Sequence, residues 1–167
     1  MQCRAEDALG GVKFLNSVLY AALWELDILV LAEDVLLARY MWRRKLSARG
    51  ALLSMHEFKF AETSGKELNE YVKTLRAPQQ LKTEFDQARD QVARAQEKLR
   101  HQLKEQRNSL IGHRSPHADR SYEEILSIDE YEIGDMAMQL VTITHAFVLA
   151  AASLLPHVAI SIMSERY

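Results

Sequence analysis

The stretch from residue 79 to residue 111 constrains the fold most strongly, because it contains neither glycine nor proline. Apolar residues recur along it at alternating spacings of four and three residues, which is a heptad repeat. The repeat consists of Leu81, Phe85, Ala88, Val92, Ala95 and Leu99, and Leu103 and Leu110 extend it. Such a repeat predicts one helix, about 50 Å long at ~1.5 Å per residue, whose apolar seam packs against other helices.

The composition indicates the same class of fold. Six glycines and three prolines in 167 residues are few, which favours helices over a turn-rich β architecture. With 48% hydrophobic residues, the chain is long enough for one core and short for two. We therefore predict an all-α protein, an antiparallel up-and-down bundle of long helices that forms a single domain over residues 1–167.

Four further helices follow from periodicity and from helix-end signals. Helical spacing of apolar residues predicts one helix over 12–45, and a second over 47–62. Ser64 and Glu67 have the spacing of a capping box and predict a short helix that ends near residue 75. Asp129 is placed to open a last helix that runs through residue 163. We interpret the nearby acidic residues as helix N-terminal charge bias; they are Glu130, Glu132 and Asp135.

The segment 136–163 carries no Asp, Glu, Lys or Arg and meets the length criterion for a membrane span. It also contains polar residues such as Gln139, His145 and His157, and acidic residues precede it. These features favour a buried bundle helix, or one in contact with another subunit, over a span. Cys3 is the only cysteine, and no secretory signal pattern precedes the first helix. We expect a cytoplasmic protein without a membrane partner.

A formal net charge of -2 argues against a protein that coats nucleic acid through bulk electrostatics. Any RNA contact must therefore be local. Cations alternate with aromatic residues between 39 and 49, and the arginines there are Arg39, Arg43, Arg44 and Arg49. This segment can grip RNA through phosphate contacts and base stacking. It is equally typical of a helix C-terminus, where cations favour the dipole.

One arginine interrupts the heptad seam. Arg107 stands four residues after Leu103, at a position where packing favours an apolar side chain. Gly112 is placed to end the helix, so that His113 can fold back toward Arg107. The helix dipole favours a protonated imidazole while the guanidinium opposes it, so His113 can titrate near neutral pH, as acid–base catalysis requires.

The seven residues from Arg107 to His113, which read RNSLIGH, resemble the Arg-polar-x4-His motif of the HEPN superfamily (higher eukaryotes and prokaryotes nucleotide-binding). The resemblance implies a helical bundle and, as in many members, a metal-independent endoribonuclease of the toxin–antitoxin, abortive-infection or antiphage-defence type. It implies a homodimer with two motifs in one cleft and leaves room for an antitoxin protein as a partner. Arg107 would bind the scissile phosphate, Asn108 would orient the site, and His113 would transfer protons.

These residue types suit cleavage of RNA by its own 2'-hydroxyl, which needs proton transfer and charge stabilisation but no metal or cofactor. The products would be a 2',3'-cyclic phosphate and a 5'-hydroxyl on single-stranded RNA. Arg114, next to His113, joins the four arginines above as an RNA-contact candidate. Two looser matches, Arg49 with His56 and Arg94 with His101, lack a polar residue after the arginine and are interpreted as chance.

Other interpretations stay open beside the nuclease. Arg107 can pair with a carboxylate at the bundle edge, and His113 can serve only the helix dipole, in a helical module that binds nucleotide or protein without catalysis. A metal site formed by His113, His117 and Asp119 is disfavoured, because Pro116 breaks the helical spacing of the two histidines. We therefore predict no metal ligands and no cofactor.

Overall fold

A computed structural model describes residues 2–110, 122–123 and 125–164, and for 2–8 and 104–110 it describes the backbone alone. Within these ranges the chain is helical and contains no strand, which confirms the all-α helical bundle. The helices with defined bounds are α1 (Gln2–Leu37), α2 (Met41–Glu57), α3 (Phe60–Thr63), α4 (Lys66–Thr74), α5 (Gln79–Leu110) and α6 (Glu130–Ser164).

Helix α5 confirms the helix predicted from the heptad repeat. It begins just after Pro78 and is described as far as Leu110. The seam residues Phe85, Val92 and Leu103 are at most 1% exposed, and Leu99 is 7% exposed. The repeat therefore predicted which face of α5 is buried.

The prediction of one helix over 12–45 is wrong, because α1 ends at Leu37 and α2 begins at Met41. No glycine or proline marks the break. Contacts between the two helices stabilise it instead: Arg43 Nη2 lies 2.6 Å from Asp34 Oδ1, and Arg44 Nη1 donates to the Ala38 carbonyl at 3.2 Å. By turning here, the chain buries an apolar face of α2, which a single straight helix would leave in solvent.

The predicted second helix over 47–62 is also displaced, because α2 has already begun at Met41 and ends at Glu57. The capping box at Ser64 is wrong as well. Ser64 Oγ donates to the Phe60 carbonyl at 2.8 Å, so this side chain closes α3, and Gly65 is the N-cap of α4. A serine hydroxyl can donate a hydrogen bond to a backbone carbonyl earlier in the chain or accept one from a backbone amide later in the chain. The spacing of Ser64 and Glu67 does not decide between these two bonds.

The start of α6 is confirmed. Asp129 Oδ1 accepts hydrogen bonds from the backbone amides of Tyr131 and Glu132, both at 3.0 Å. These amides lack partners within the helix, and an aspartate N-cap satisfies them.

The chain packs as two compact units. The first comprises Met1–Leu23, Lys59–Ala93 and Ile143–Tyr167, and the second comprises Trp24–Phe58 and Arg94–Thr142. The single domain over 1–167 stays a prediction.

Aromatic rings form the centre of the first unit. Phe85 from α5 lies 5.6 Å from Phe14 of α1 and 5.3 Å from Phe147 of α6, centroid to centroid. Phe60 of α3 meets Phe147 edge-on at 4.8 Å. All four rings are fully buried. Fixed ring pairs contribute about 0.5–1.5 kcal/mol each beyond their buried area, so they hold these four helices in register.

A stacked pair organises the second unit. Trp24 and Phe58 lie 4.1 Å apart, and Trp24 Nε1 donates to the Ser54 carbonyl at 3.1 Å near the end of α2. Gln96 is buried on α5 and donates its amide to the Phe58 carbonyl. The buried Gln96 side chain therefore supplies the hydrogen-bond donor for the backbone carbonyl that follows the end of α2.

Two helices carry apolar residues on their exposed faces. Leu9–Leu37 of α1 and all of α6 are long and apolar enough to cross a membrane by length and composition alone, a test that core helices of soluble proteins also pass. In their most apolar windows, only 28% and 22% of the residues are buried. Each helix therefore presents apolar surface beyond what the core covers.

The close approach of α4 to Gly10 generates a testable prediction. A Cβ atom at Gly10 would lie 2.7 Å from Cγ of the buried Tyr71 and closer still to Cδ2. We expect Gly10→Ala to lower the free energy of unfolding by about 1–3 kcal/mol, because the new methyl group overlaps the buried ring of Tyr71. Urea denaturation followed by circular dichroism measures this.

Gly50→Ala is the matched control. Its Cβ would lie 3.2 Å from Leu31 Cδ2, the end of a flexible side chain, and the gain in helix propensity, up to about 1 kcal/mol, offsets the contact. Equal losses in both variants would contradict the close approach at Gly10.

Candidate nucleic-acid site

The motif resembling the HEPN family begins in the C-terminal part of α5. Residues 107 and 108 belong to this helix, which is described as far as Leu110. The side chains of Arg107 and Asn108 lie outside the described set, and so do His113 and Arg114 entirely. Residues 111–121 also lie outside the described part of the chain.

The register of α5 assigns a face to position 107. Leu99 and Leu103, four residues apart, are both buried, and Arg107 stands four residues further on. Residues at i and i+4 share a helix face, so position 107 lies on the face of α5 that includes the buried Leu99 and Leu103. A cation there needs an anion or a route to water.

The two looser matches have a different geometry. Arg49 and His56 both lie within α2, and Arg94 and His101 both lie within α5. A continuous helix holds residues seven apart about 10.5 Å from each other along its axis. These two pairs are therefore held apart along one helix axis, whereas His113 lies outside the described residues.

The cationic segment at the start of α2 is divided between solvent and internal ion pairs. Arg39 is exposed, and Arg43 keeps 65% of its side chain exposed although the hydrogen bond and charge of Asp34 raise its pKa. Arg49 is half-buried. Arg44 is 24% exposed, and its Nε lies 3.5 Å from Glu130 Oε1. Arg39 and Arg43 are thus exposed, although Arg43 also pairs with Asp34, whereas Arg44 is largely buried beside Glu130.

Aromatic side chains accompany these cations on the surface. Trp42 of α2 lies 5.2 Å from Tyr122, centroid to centroid, and both rings are exposed. Tyr40, just before α2, is 73% exposed. Exposed rings beside arginines are suited to base stacking. The sequence interpretation identified Trp42 and Tyr40 but missed Tyr122, which is distant in the chain.

A buried ion pair was also missed. Lys45 Nζ lies 2.7 Å from Glu130 Oε2, both side chains are at most 12% exposed, and Lys45 also donates to the Ile128 carbonyl. The hydrogen bond from Lys45 outweighs burial and holds the pKa of Glu130 below its ordinary value. Glu130 precedes Ile133 by three residues and Ala137 by seven, which places all three on one helix face. This spacing was a sequence signal that Glu130 is buried.

Among the described residues, no group of three or more His, Cys, Asp or Glu side chains is placed to hold a metal ion. His113, His117 and Asp119 lie outside that part of the chain.

Comparison with protein-family profiles, with curated protein sequences and with solved structures finds no match to this chain.

The lowered pKa of Glu130 predicts a pH-dependent contribution to stability. Its carboxylate stabilises the fold above the ordinary glutamate pKa of about 4.3, and the contribution is lost as the pH falls through the lowered pKa of the folded state. Glu130→Gln should therefore cost about 3 kcal/mol at pH 7, because it leaves Lys45 buried beside an uncharged group, and progressively less below about pH 4. Urea titrations across this range measure the difference.

The exposed Glu132→Gln, two residues away, is the control and should change the free energy of unfolding by at most about 0.5 kcal/mol. A pH-independent difference between wild type and Glu130→Gln would contradict the ion pair.

Proposed function

We propose that this chain is a metal-independent endoribonuclease of the HEPN type that acts on single-stranded RNA as a homodimer. The observation that carries the proposal is the position of Arg107 and Asn108. Both lie in the C-terminal part of the long helix α5 that the structure describes, and position 107 shares a helix face with the buried Leu99 and Leu103.

Arg107 binds the scissile phosphate in this proposal. A guanidinium offers parallel N–H donors to two phosphate oxygens and keeps its charge at all relevant pH values. Position 107 lies on the helix face of the buried Leu99 and Leu103, where a guanidinium is favourable only if it meets an anion or reaches water, and a phosphate supplies that anion.

His113 transfers the protons. It accepts the proton of the attacking 2'-hydroxyl, or donates one to the 5'-oxygen that leaves, while the second motif of the dimer performs the complementary step. The phosphorus–oxygen bond to the 2'-oxygen forms as the bond to the 5'-oxygen breaks. The products are a 2',3'-cyclic phosphate and a 5'-hydroxyl, and Asn108 orients the reacting groups.

The surface at the start of α2 supports an RNA substrate. It combines the exposed Arg39 and Arg43 with the exposed Trp42 and Tyr122 rings. Such a surface holds a single strand through its phosphates and bases without the high net positive charge that this chain lacks. A cytoplasmic toxin or antiphage role, with an antitoxin protein as partner, is the setting that the family resemblance suggests.

The assignment predicts the behaviour of three variants. In buffer containing EDTA, His113→Ala should lower the rate of cleavage of a labelled RNA oligonucleotide at least 100-fold, as loss of an acid–base group does. Arg107→Ala should lower it comparably through lost charge stabilisation. Gel analysis of initial rates measures both.

The double variant Arg94→Ala/His101→Ala is the matched control, because it removes the same residue types from exposed positions of the same helix. It should retain wild-type cleavage. Full activity in His113→Ala, or equal loss in the control, would contradict the proposed site.

A second candidate is a non-catalytic helical module that binds another protein. The apolar exposed faces of α1 and α6 favour it. In that case no RNA would be cut in EDTA, and Arg107→Ala would change stability more than any activity.

A further inference from the structure

The exposed face of α1 repeats with the period of a coiled coil. Its heptad core positions from residue 12 to residue 37 are spaced four and three residues apart, and none of them is buried. They are Val12, Asn16, Leu19, Leu23, Leu26, Val30, Glu33 and Leu37. The six apolar members are 51% to 74% exposed. The opposite face of the same helix is buried and includes Phe14, Ala21, Ile28 and Val35.

We propose that this face of α1 binds the same face of a second copy of the chain, with the two helices antiparallel. In an antiparallel coiled coil, the first core position of one heptad faces the second core position of the partner. The register in which facing residue numbers add to 49 brings together 12 with 37, 16 with 33, 19 with 30, and 23 with 26.

This register matches polarity at every layer. Val12 faces Leu37, Leu19 faces Val30, and Leu23 faces Leu26, so apolar residues meet apolar residues. The two polar core residues, Asn16 and Glu33, face each other, and an amide can donate to a carboxylate. Shifting the partner by one heptad in either direction would place Glu33 against a leucine, Leu9 or Leu23, which buries a charge without a partner.

The flanking positions are complementary in the same arrangement. On one side, Lys13 lies across from Asp34, and Tyr20 lies across from Asp27. On the other side, every flanking residue is apolar; these residues are Leu15, Ala22, Leu29 and Leu36. Lys13 and Asp34 also have partners within their own chain, Glu67 and Arg43, so the contact adds to existing ion pairs.

The parallel alternative is disfavoured by charge. It would bring Glu33 against Glu33 in the core, and it would place the apolar flank beside Asp27 and Asp34. A lipid surface is disfavoured for the same reason, because Asp27 and Glu33 are exposed within the apolar face and charges are costly in a bilayer. This inference does not rest on ribonuclease activity.

Disulfide trapping tests the proposal. In a Cys3→Ser background, the double variant Leu19→Cys/Val30→Cys should give a covalent dimer under mild oxidation. In the proposed register, position 19 of one chain faces position 30 of its partner, so the two new thiols meet. The two positions are about 16 Å apart along one helix, so they cannot join within a chain. Each single variant should stay uncrosslinked.

Efficient crosslinking of Leu19→Cys alone would indicate parallel helices and overturn the proposal. The absence of any crosslink in the double variant would also overturn it. Two results with the wild-type chain would do the same: a monomer in sedimentation velocity at roughly 50 μM, or flotation with phosphatidylcholine–phosphatidylglycerol vesicles.

A charge exchange tests the same layer without thiols. Leu19→Glu and Val30→Lys should each raise the dissociation constant of the dimer at least tenfold, and the double variant should recover most of that loss, because glutamate then faces lysine in two layers. Leu46→Glu, an equally exposed leucine on α2, is the control and should leave the dimer unchanged. Failure of the double variant to recover, with both singles folded by circular dichroism, would overturn the register.

Discussion

Burial of one face of α5 is the constraint on which the candidate site depends. Phe85 joins the aromatic centre of the first unit, and Leu99 and Leu103 are buried further along the same helix. Because a helix has a fixed angular step per residue, these contacts also determine which face of α5 each of residues 104–110 occupies. The helix face on which Arg107 lies is therefore determined by side chains that pack several turns away. The proposed RNA site depends on this packing of α5.

Charge is used in two different ways in this chain. Glu130 and Lys45 form a buried ion pair that joins the start of α6 to α2. Removing either partner of such a pair destabilises the fold, because the other charge is then buried without compensation. Arg39 and Arg43 stay at the surface, where Arg43 pairs with Asp34. The neighbouring residues Arg43, Arg44 and Lys45 thus differ in role because successive helix positions point in different directions.

Features governed by local sequence were predictable. The absence of breakers and the heptad repeat predicted α5 and its buried face, and Asp129 predicted the start of α6 through an N-cap contact two and three residues away. Features that depend on which side chains meet in the folded chain were not. The break after Leu37 depends on Arg43 and Arg44 meeting Asp34 and Ala38, and no local signal marks it. The pairing of Glu130 with Lys45 joins residues far apart in the chain, although the register of Glu130 indicated burial. The roles of Arg107, Asn108 and His113 rest on sequence and on the register of α5.

The central claim is that Arg107 and His113 promote attack by the RNA's own 2'-hydroxyl. Mass spectrometry of the products formed in EDTA, from an RNA oligonucleotide and from the same oligonucleotide with 2'-deoxy sugars, tests it most directly. We predict 2',3'-cyclic phosphate and 5'-hydroxyl ends from the RNA and no cleavage of the deoxy substrate. Products with 3'-hydroxyl and 5'-phosphate ends, or cleavage of the deoxy substrate, would contradict it.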